Sequence, residues 1–261
     1  MKIRTFICLG LAAGACLLAL PGCYSVPVTG RMALVMVSQD SELQLGLQSF
    51  QEAKTTTPVS RDAALQTRIE MVGRRIAAVS AFPDWKWEFV AFDDPKTPNA
   101  WCLPGGKIGV YSGLMPYAKT DGELATVMAH EVGHAVARHG AERMTEQMAL
   151  AVGAEAVGRS VSQENVERAK VAYGIGSQLF VALPHSRKDE LEADRIGLMY
   201  MARAGYDPHE ALAFWNRFSQ ISADQPKIEW LSTHPLDDVR IKQINAYMPD
   251  AVKEYEAQKA K

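Results

Sequence analysis

Two histidines one helical turn apart are the strongest chemical signal in this sequence. His130 and His134 flank Glu131 in the segment His-Glu-Val-Gly-His. Residues four apart lie on one face of a helix, so both imidazoles can reach one metal ion. Neutral imidazole suits zinc, and a catalytic zinc site keeps one position open for a water that Glu131 could deprotonate. With six histidines in 261 residues, chance seldom produces this pattern.

An acidic pair further along the chain could complete the site. Glu190 and Asp194 are four residues apart on a predicted helix that Ser186 caps. Two carboxylates on one helix face repel each other unless a cation or a donor lies between them. Zinc bound by Glu190, with Asp194 accepting from the free N–H of a zinc-bound histidine, would resolve the conflict. The alternative is a solvated acidic face.

Together, the two motifs resemble those of the HtpX and CAAX-prenyl-protease family of zinc endopeptidases. The likeness is closest to its soluble, envelope-located lipoprotein members, and it extends from about residue 26 to 245. It includes short segments at 28–31, 99–100, 104–106, 138–140, 186–187 and 233–235. The resemblance implies an α+β, mainly helical, zincin-like metallopeptidase domain with a small β-sheet beside the active site. It also implies one Zn²⁺ per chain, with Glu190 as the third ligand.

Residues 99–111 are interpreted as a platform for an extended substrate. An unpaired strand edge binds a peptide through main-chain hydrogen bonds with little dependence on sequence. The resemblance places Asn99 and Ala100 on such an edge beside the zinc. Alternatively, these strands only complete the sheet.

His234 has three open interpretations. The resemblance places its loop near the metal, where the imidazole could stabilise the oxyanion of the tetrahedral intermediate. It could instead occupy the fourth zinc position and hold the enzyme silent, or simply bond to the backbone. Arg187 and Arg240 could orient the carboxylates or be surface charges. The remaining candidates are interpreted as structural or exposed, and they are His139, His185, His209 and the lone Cys102.

The apolar periodicity predicts a mainly helical chain with one small sheet. Helices are expected at about 38–54, 61–80, 120–139, 141–157, 163–181, 187–204, 208–221 and 236–247, and strands at 85–93, 100–103 and 107–111. Thr120 and Glu123 predict a capping box, Gly140 a helix stop, and residues 104–106 a hairpin-like turn between the last two strands. Residues 26–30 are expected to be extended, and 32–37 to dock on the body.

The first residues have the pattern of a secretory signal. A basic start precedes an apolar run from about residue 6 to 20, too short to span a bilayer comfortably. The following Leu-Pro-Gly-Cys resembles a lipobox, which implies lipidation of Cys23. Cys16 is a competing site, and an ordinary cleaved signal is the alternative. Tyr24 after the cysteine favours the outer membrane, to which lipid would tether the chain in the periplasm.

Composition narrows the class of protein and the division of the chain. The formal net charge of −2 without a basic stripe argues against nucleic acid as a partner. Only Cys102 would remain beside Cys23 after signal removal, so no disulfide framework is expected. The expected division is a signal peptide at 1–22, a tether at 23–37, the zinc metallopeptidase domain at 38–248 and a polar tail at 249–261.

The sequence therefore predicts a zinc metalloendopeptidase acting on misfolded or mislocalised envelope proteins. Its partners would be protein substrates, including outer-membrane proteins or their assembly machinery. Two alternatives stay open at this point. One is a chaperone-like lipoprotein with a latent or structural zinc site, and the other is a zinc hydrolase acting on a non-peptide substrate such as a cell-wall fragment.

Overall fold

The computed structural model describes residues 22–156, 185–224, 229–235 and 237–260. Within these ranges the chain forms short strands and longer helices, as expected for a mainly helical α+β protein. The strands are β1 (Cys23–Ser25), β2 (Met32–Leu34), β3 (Glu88–Phe92), β4 (Ala100–Leu103) and β5 (Lys107–Tyr111). The helices are α1 (Gln39–Thr56), α2 (Ala63–Val79), α3 (Asp121–Ala137), α4 (His139–Ala156), α5 (Arg187–Arg203), α6 (His209–Asp224), α7 (Glu229–Thr233) and α8 (Asp238–Lys259).

Helix α3 lies at the centre of the fold. The predicted capping box starts it: the Thr120 side chain accepts from the backbone N–H of Glu123, whose carboxylate accepts in return from the backbone N–H of Thr120. Every residue from Gly122 to Ala137 is buried. Helix α5 packs along α3 and is covered in turn by α8, while α2 and β4 contact α3 elsewhere. A helix covered on so many faces can carry polar side chains only where they have partners.

The small sheet has strand order β3-β5-β4, with β3 parallel and β4 antiparallel to β5. Its β4–β5 connection is the predicted turn, in which Gly105 and Gly106 adopt φ of 82° and 76°. Side chains resist that left-handed conformation, which glycine adopts freely. Because β4 is last in the strand order, it forms an edge of this sheet. It also contacts α3.

The segment predicted as a tether is a two-stranded hairpin, β1 and β2, packed on the body. Val26, Ala33 and Val35 are buried in the main core, which confirms docking of the apolar stretch. The extended conformation expected for residues 26–30 was wrong. The chain turns there, with φ of 67° at Val28 and 70° at Gly30, and the Gly30 N–H donates to the Val26 carbonyl at 2.9 Å.

Three helix boundaries differ from the sequence prediction. Helix α3 ends at Ala137 rather than His139, because Arg138 adopts φ 60° and its side chain is held by Glu42 and the Val37 carbonyl. Gly140 consequently lies inside α4. Helix α8 continues through Pro249 to Lys259, beyond the predicted end at 247, so residues 249–259 are helical rather than frayed.

The short helix α7 was not predicted. The helix expected at 163–181 and the signal segment lie outside the described residues. Among the residues described, no helix is long and apolar enough to cross a bilayer.

Candidate metal centre and active site

The predicted site residues meet where α3 and α5 cross. An added Cβ at Gly133 would lie 2.9 Å from the Ala193 carbonyl oxygen, and one at Gly197 would lie 2.8 Å from the backbone nitrogen of His130. The two helix backbones therefore approach more closely than side chains of ordinary size allow. This contact brings the acidic pair of α5 alongside the histidines of α3.

Four side chains converge on one point at this crossing. Ligating atoms of His130, His134, Glu190 and His234 all lie within 4.8 Å of one another. The two histidine Nε2 atoms are 3.1 Å apart. Glu190 Oε1 lies 3.2 Å from His134 Nε2, and Glu190 Oε2 lies 3.4 Å from His130 Nε2. All four residues are buried.

These separations fit the donor set of a zinc site. Zinc–nitrogen bonds of about 2.0 Å in a tetrahedral arrangement place neighbouring donors roughly 3.3 Å apart. Two imidazoles and a carboxylate are also common ligands for zinc. The donor set His130, His134 and Glu190 therefore fits this metal in both spacing and chemistry.

The charges around the group favour a cation. Burial acts to lower the pKa of His130, but hydrogen bonds to Asp194 and Glu190 outweigh it and raise that pKa to about 9. Burial also acts to raise the pKa of Glu190, yet the surrounding histidines hold it far below its usual range. Burial keeps the pKa of His134 well below its usual value, which leaves this imidazole neutral and free to bind a metal.

Asp194 occupies the position expected for a carboxylate that orients a histidine. Its Oδ1 lies 2.9 Å from His130 Nδ1. Arg240 donates to both Asp194 oxygens at 2.7 Å and lies 2.7 Å from Glu190 Oε2. Burial acts to raise the pKa of Asp194, but Arg240 holds it below its usual value. The repulsion between the two carboxylates is therefore relieved partly by this buried arginine, whereas Arg187 is exposed and pairs with Asp237.

Glu131 points toward the same group and has a partner that the sequence analysis missed. The indole N–H of Trp230 donates to Glu131 Oε1 at 3.0 Å, and His234 Nε2 lies 3.4 Å from the same oxygen. The rings of Trp230 and His234 stack at 4.4 Å. Trp230 lies in α7, and His234 is the residue that follows this helix. The backbone N–H of His234 donates to the Trp230 carbonyl. Their four-residue spacing was the available signal, but this stretch had been interpreted as a loop.

The remaining histidines divide between the site and the surface. His139 and His185 are buried against His134, with the His185 ring 3.8 Å from it. His139 begins α4 and so does not share the face of α3 that carries His130 and His134, yet its Nδ1 reaches His134 Nδ1 at 2.8 Å. His209 is exposed and bonds to Asp207.

The predicted substrate platform and cysteines have mixed surroundings. Asn99 and Ala100 lie at the start of edge strand β4, and both are buried. Cys23 is exposed in β1, opposite Leu34. Cys102 is buried in β4, and burial raises the pKa of its thiol well above the usual value, as expected for a structural cysteine.

Comparisons with known proteins agree with this geometry. The profile of peptidase family M48 matches residues 63–248. The chain is 36% identical over 234 residues to the mitochondrial metalloendopeptidase OMA1 of Schizosaccharomyces pombe, covering 87% of this chain. It is 42% identical over 166 residues to the Arabidopsis thaliana protein of the same name, covering 64% of this chain. It is also 29% identical over 248 residues to a putative beta-barrel assembly-enhancing protease of Vibrio cholerae, covering 91% of this chain.

The fold and the buried His-Glu group define a metallopeptidase, and the comparisons narrow the class. The chain belongs to peptidase family M48. It spans 66%, 32% and 50% of the lengths of the three relatives named. The narrower likeness to HtpX and the CAAX prenyl proteases stays a prediction.

Proposed function

We propose that this chain is a zinc-dependent endopeptidase that hydrolyses peptide bonds of cell-envelope proteins. The observation that carries the proposal is the convergence of His130, His134 and Glu190 at zinc-like spacing, with the Glu131 carboxylate beside them. A binding protein would have no need for a carboxylate held in that position. The group thus supports catalysis more than a structural metal.

The chain's own residues supply the proton chemistry and the orientation. A zinc ion held by His130, His134 and Glu190 would polarise the scissile carbonyl and lower the pKa of a bound water. Glu131 accepts the proton from the attacking water and passes it to the leaving amine. Trp230, donating to Glu131 at 3.0 Å, fixes the direction of this carboxylate. Asp194, supported by Arg240, orients the His130 ring.

Two other contacts concern the substrate and the fourth position. Asn99 and Ala100 would bind the substrate main chain as an added strand along β4. His234 Nδ1 lies 3.0 Å from Glu190 Oε1 and 3.3 Å from His130 Nε2. In this conformation the imidazole could act as a fourth donor to a bound zinc, and a displaced His234 could instead face the oxyanion.

The proposed location and substrates are supported by the first residues and by the names of relatives. The exposed position of Cys23 suits lipidation and tethering to the outer membrane on its periplasmic side. Relatives in Vibrio cholerae and Yersinia pestis carry the name beta-barrel assembly-enhancing protease. We infer that misfolded or mislocalised envelope proteins, including outer-membrane proteins, are the substrates.

The replacement Glu131→Gln tests the mechanism. It removes the base while leaving the three proposed ligands intact, so the variant should retain bound zinc and the fold but lose casein cleavage by at least about 100-fold. Zinc content, circular dichroism and cleavage rate are the measurements, with the surface variant Glu70→Gln as control. Cleavage by Glu131→Gln at the wild-type rate would contradict the proposed mechanism. Mass spectrometry of envelope proteins cut by wild type but not by this variant would identify the substrates.

A further inference from the structure

A chain of contacts, buried at the histidines and half-buried at its outer end, runs from His134 to the N-terminal hairpin. His134 Nδ1 lies 2.8 Å from His139 Nδ1, and His139 Nε2 lies 3.0 Å from Glu192 Oε2. Thr29 donates its hydroxyl to Glu192 Oε1 at 2.6 Å, and Arg31 donates from Nε to Oε2 at 2.7 Å. Beyond His134 itself, none of these residues was predicted to belong to the active site.

The Glu192 carboxylate determines which imidazole nitrogens of His139 and His134 donate and which accept. An ionised carboxylate only accepts hydrogen bonds, so His139 must donate from Nε2 to Glu192. When His139 is a neutral imidazole, with one donor and one acceptor nitrogen, its Nδ1 accepts. The His134 Nδ1 facing it must then carry the proton. His134 Nε2 is consequently left with a free lone pair, and this atom faces His130 and Glu190.

The arrangement parallels the one around His130 but uses a longer route. Asp194 accepts directly from His130 Nδ1 and is held by Arg240. For His134 the carboxylate is one imidazole further away and is held by Thr29 and Arg31. Each histidine of the pair thus has its own buried carboxylate and its own arginine.

The hairpin turn is fixed firmly enough to hold Glu192. Arg31 also forms two hydrogen bonds of 2.8 Å to Glu142 of α4, so one guanidinium joins α4 and α5. A planar guanidinium with two carboxylate partners has little freedom to rotate. The backbone of the Thr29 turn is closed by its own hydrogen bonds.

We propose that His139, Glu192, Thr29 and Arg31 are positioning residues that set the tautomer and the ring orientation of His134. The N-terminal hairpin is thereby part of the metal centre. This proposal rests on the proposed function, since it assumes that His134 Nε2 binds zinc.

The replacement of His139 tests the proposal through zinc affinity. His139→Leu removes the acceptor at similar volume and should weaken zinc binding about 10- to 100-fold, measured by competition with a chromophoric chelator. His139→Asn places an amide oxygen near the position of Nδ1 and should recover most of the affinity. The exposed His209→Leu is the matched control and should bind zinc like wild type. Wild-type affinity in His139→Leu would overturn the proposal.

A milder variant and a direct readout cover the case in which His139→Leu fails to fold. Thr29→Val removes one hydroxyl and should weaken zinc binding several-fold, and unchanged affinity would overturn the role of the hairpin. Long-range ¹⁵N–¹H NMR of the zinc-loaded wild type should show His134 protonated on Nδ1 and His139 on Nε2. The opposite tautomers would overturn it as well. Neither readout depends on peptide cleavage, so failure of the proposed protease activity is distinguished from failure of this proposal.

Discussion

A buried arginine controls the electrostatics of the acidic pair. Arg240 is fully buried and pairs with Asp194 and Glu190, while the indole rings of Trp215 and Trp230 lie within 6.0 Å of its guanidinium. The cost of burying such a charge is offset only because the carboxylates and rings surround it on several sides. Removing it would leave two desolvated carboxylates beside each other.

We expect Arg240→Leu to destabilise the metal-free protein by about 3–5 kcal/mol. The stability of Arg240→Lys should lie between those of the wild type and Arg240→Leu, because an ammonium keeps the charge but cannot donate to both Asp194 oxygens in one plane. The measurement is urea denaturation in the presence of a chelator. Arg187→Leu is the control, and its exposed ion pair should be worth at most about 1 kcal/mol. Equal stability of the Arg240→Leu and Arg187→Leu variants would show that the buried pair contributes nothing.

At the scale of elements, the site depends on how closely α3 and α5 approach. Gly197 lies against the His130 backbone and Gly133 against the Ala193 backbone. A helix backbone cannot move aside as a side-chain end can, so a methyl group at either position would separate the helices. Separation would shift Glu190 and Asp194 away from the histidines.

The replacement Gly197→Ala should therefore lower both stability and zinc affinity. We expect a loss of about 1–3 kcal/mol in the free energy of unfolding, together with weaker zinc binding in a chelator competition. Gly122→Ala in α3 is the control, because its new methyl would meet the flexible end of Glu210 in α6 rather than the backbone of α5. If both variants bind zinc equally well, the close helix contact does not determine the site.

The sequence predicted the elements whose local signals are strong. The capping box at Thr120, the cap at Ser186 and the glycine turn at 105–106 were all found where expected. The boundaries that failed depend on distant contacts. Arg138 ends α3 because Glu42 and Val37, about a hundred residues earlier, hold its side chain. Helix α8 continues past Pro249 because Met248 and Ala251 pack in the core.

The same reason separates the predicted from the missed residues of the site. The spacing of His130 and His134, and of Glu190 and Asp194, places each pair on one helix face, and the packing of α5 on α3 brings the two pairs together. His139 and Arg240 enter through the packing of other helices, which no spacing records, whereas the four-residue spacing of Trp230 and His234 was an available signal. Arg240 was left open between orienting and surface roles, and only the path of α8 decides between them.

At the scale of the whole molecule, the burial of the site raises the question of how a substrate reaches it. His130, Glu131, His134 and Glu190 are all buried, and Trp230 and His234 lie over them. The described cavities that touch His130 and His134 hold only about 10 Å³ each, far too little for a peptide. Among the described residues, Trp230 of α7 and His234 are packed against the His130 ring, so we expect substrate binding to displace them.

We expect His234→Ala to raise the rate of peptide cleavage several-fold while zinc stays bound through the three remaining ligands. The physical reason is that the substitution removes a competing donor from the fourth position and weakens the stacking that holds α7 over the site. Cleavage of a fluorogenic peptide and zinc content are the measurements, with His209→Ala as control. Loss of cleavage would instead assign His234 to the oxyanion.

The hairpin at residues 22–35 limits how far the chain can be shortened from its N-terminus without loss of zinc binding. The family profile matches residues 63–248, and a protein trimmed to that range would retain all four converging donors. It would lack Thr29 and Arg31, which hold Glu192, and Glu42, which holds the residue that ends α3. We therefore expect the shortest chain that binds zinc well to be longer than the range matched by the family profile. A shortened chain that still contains His-Glu-Val-Gly-His but binds zinc poorly would reflect missing support rather than a missing ligand.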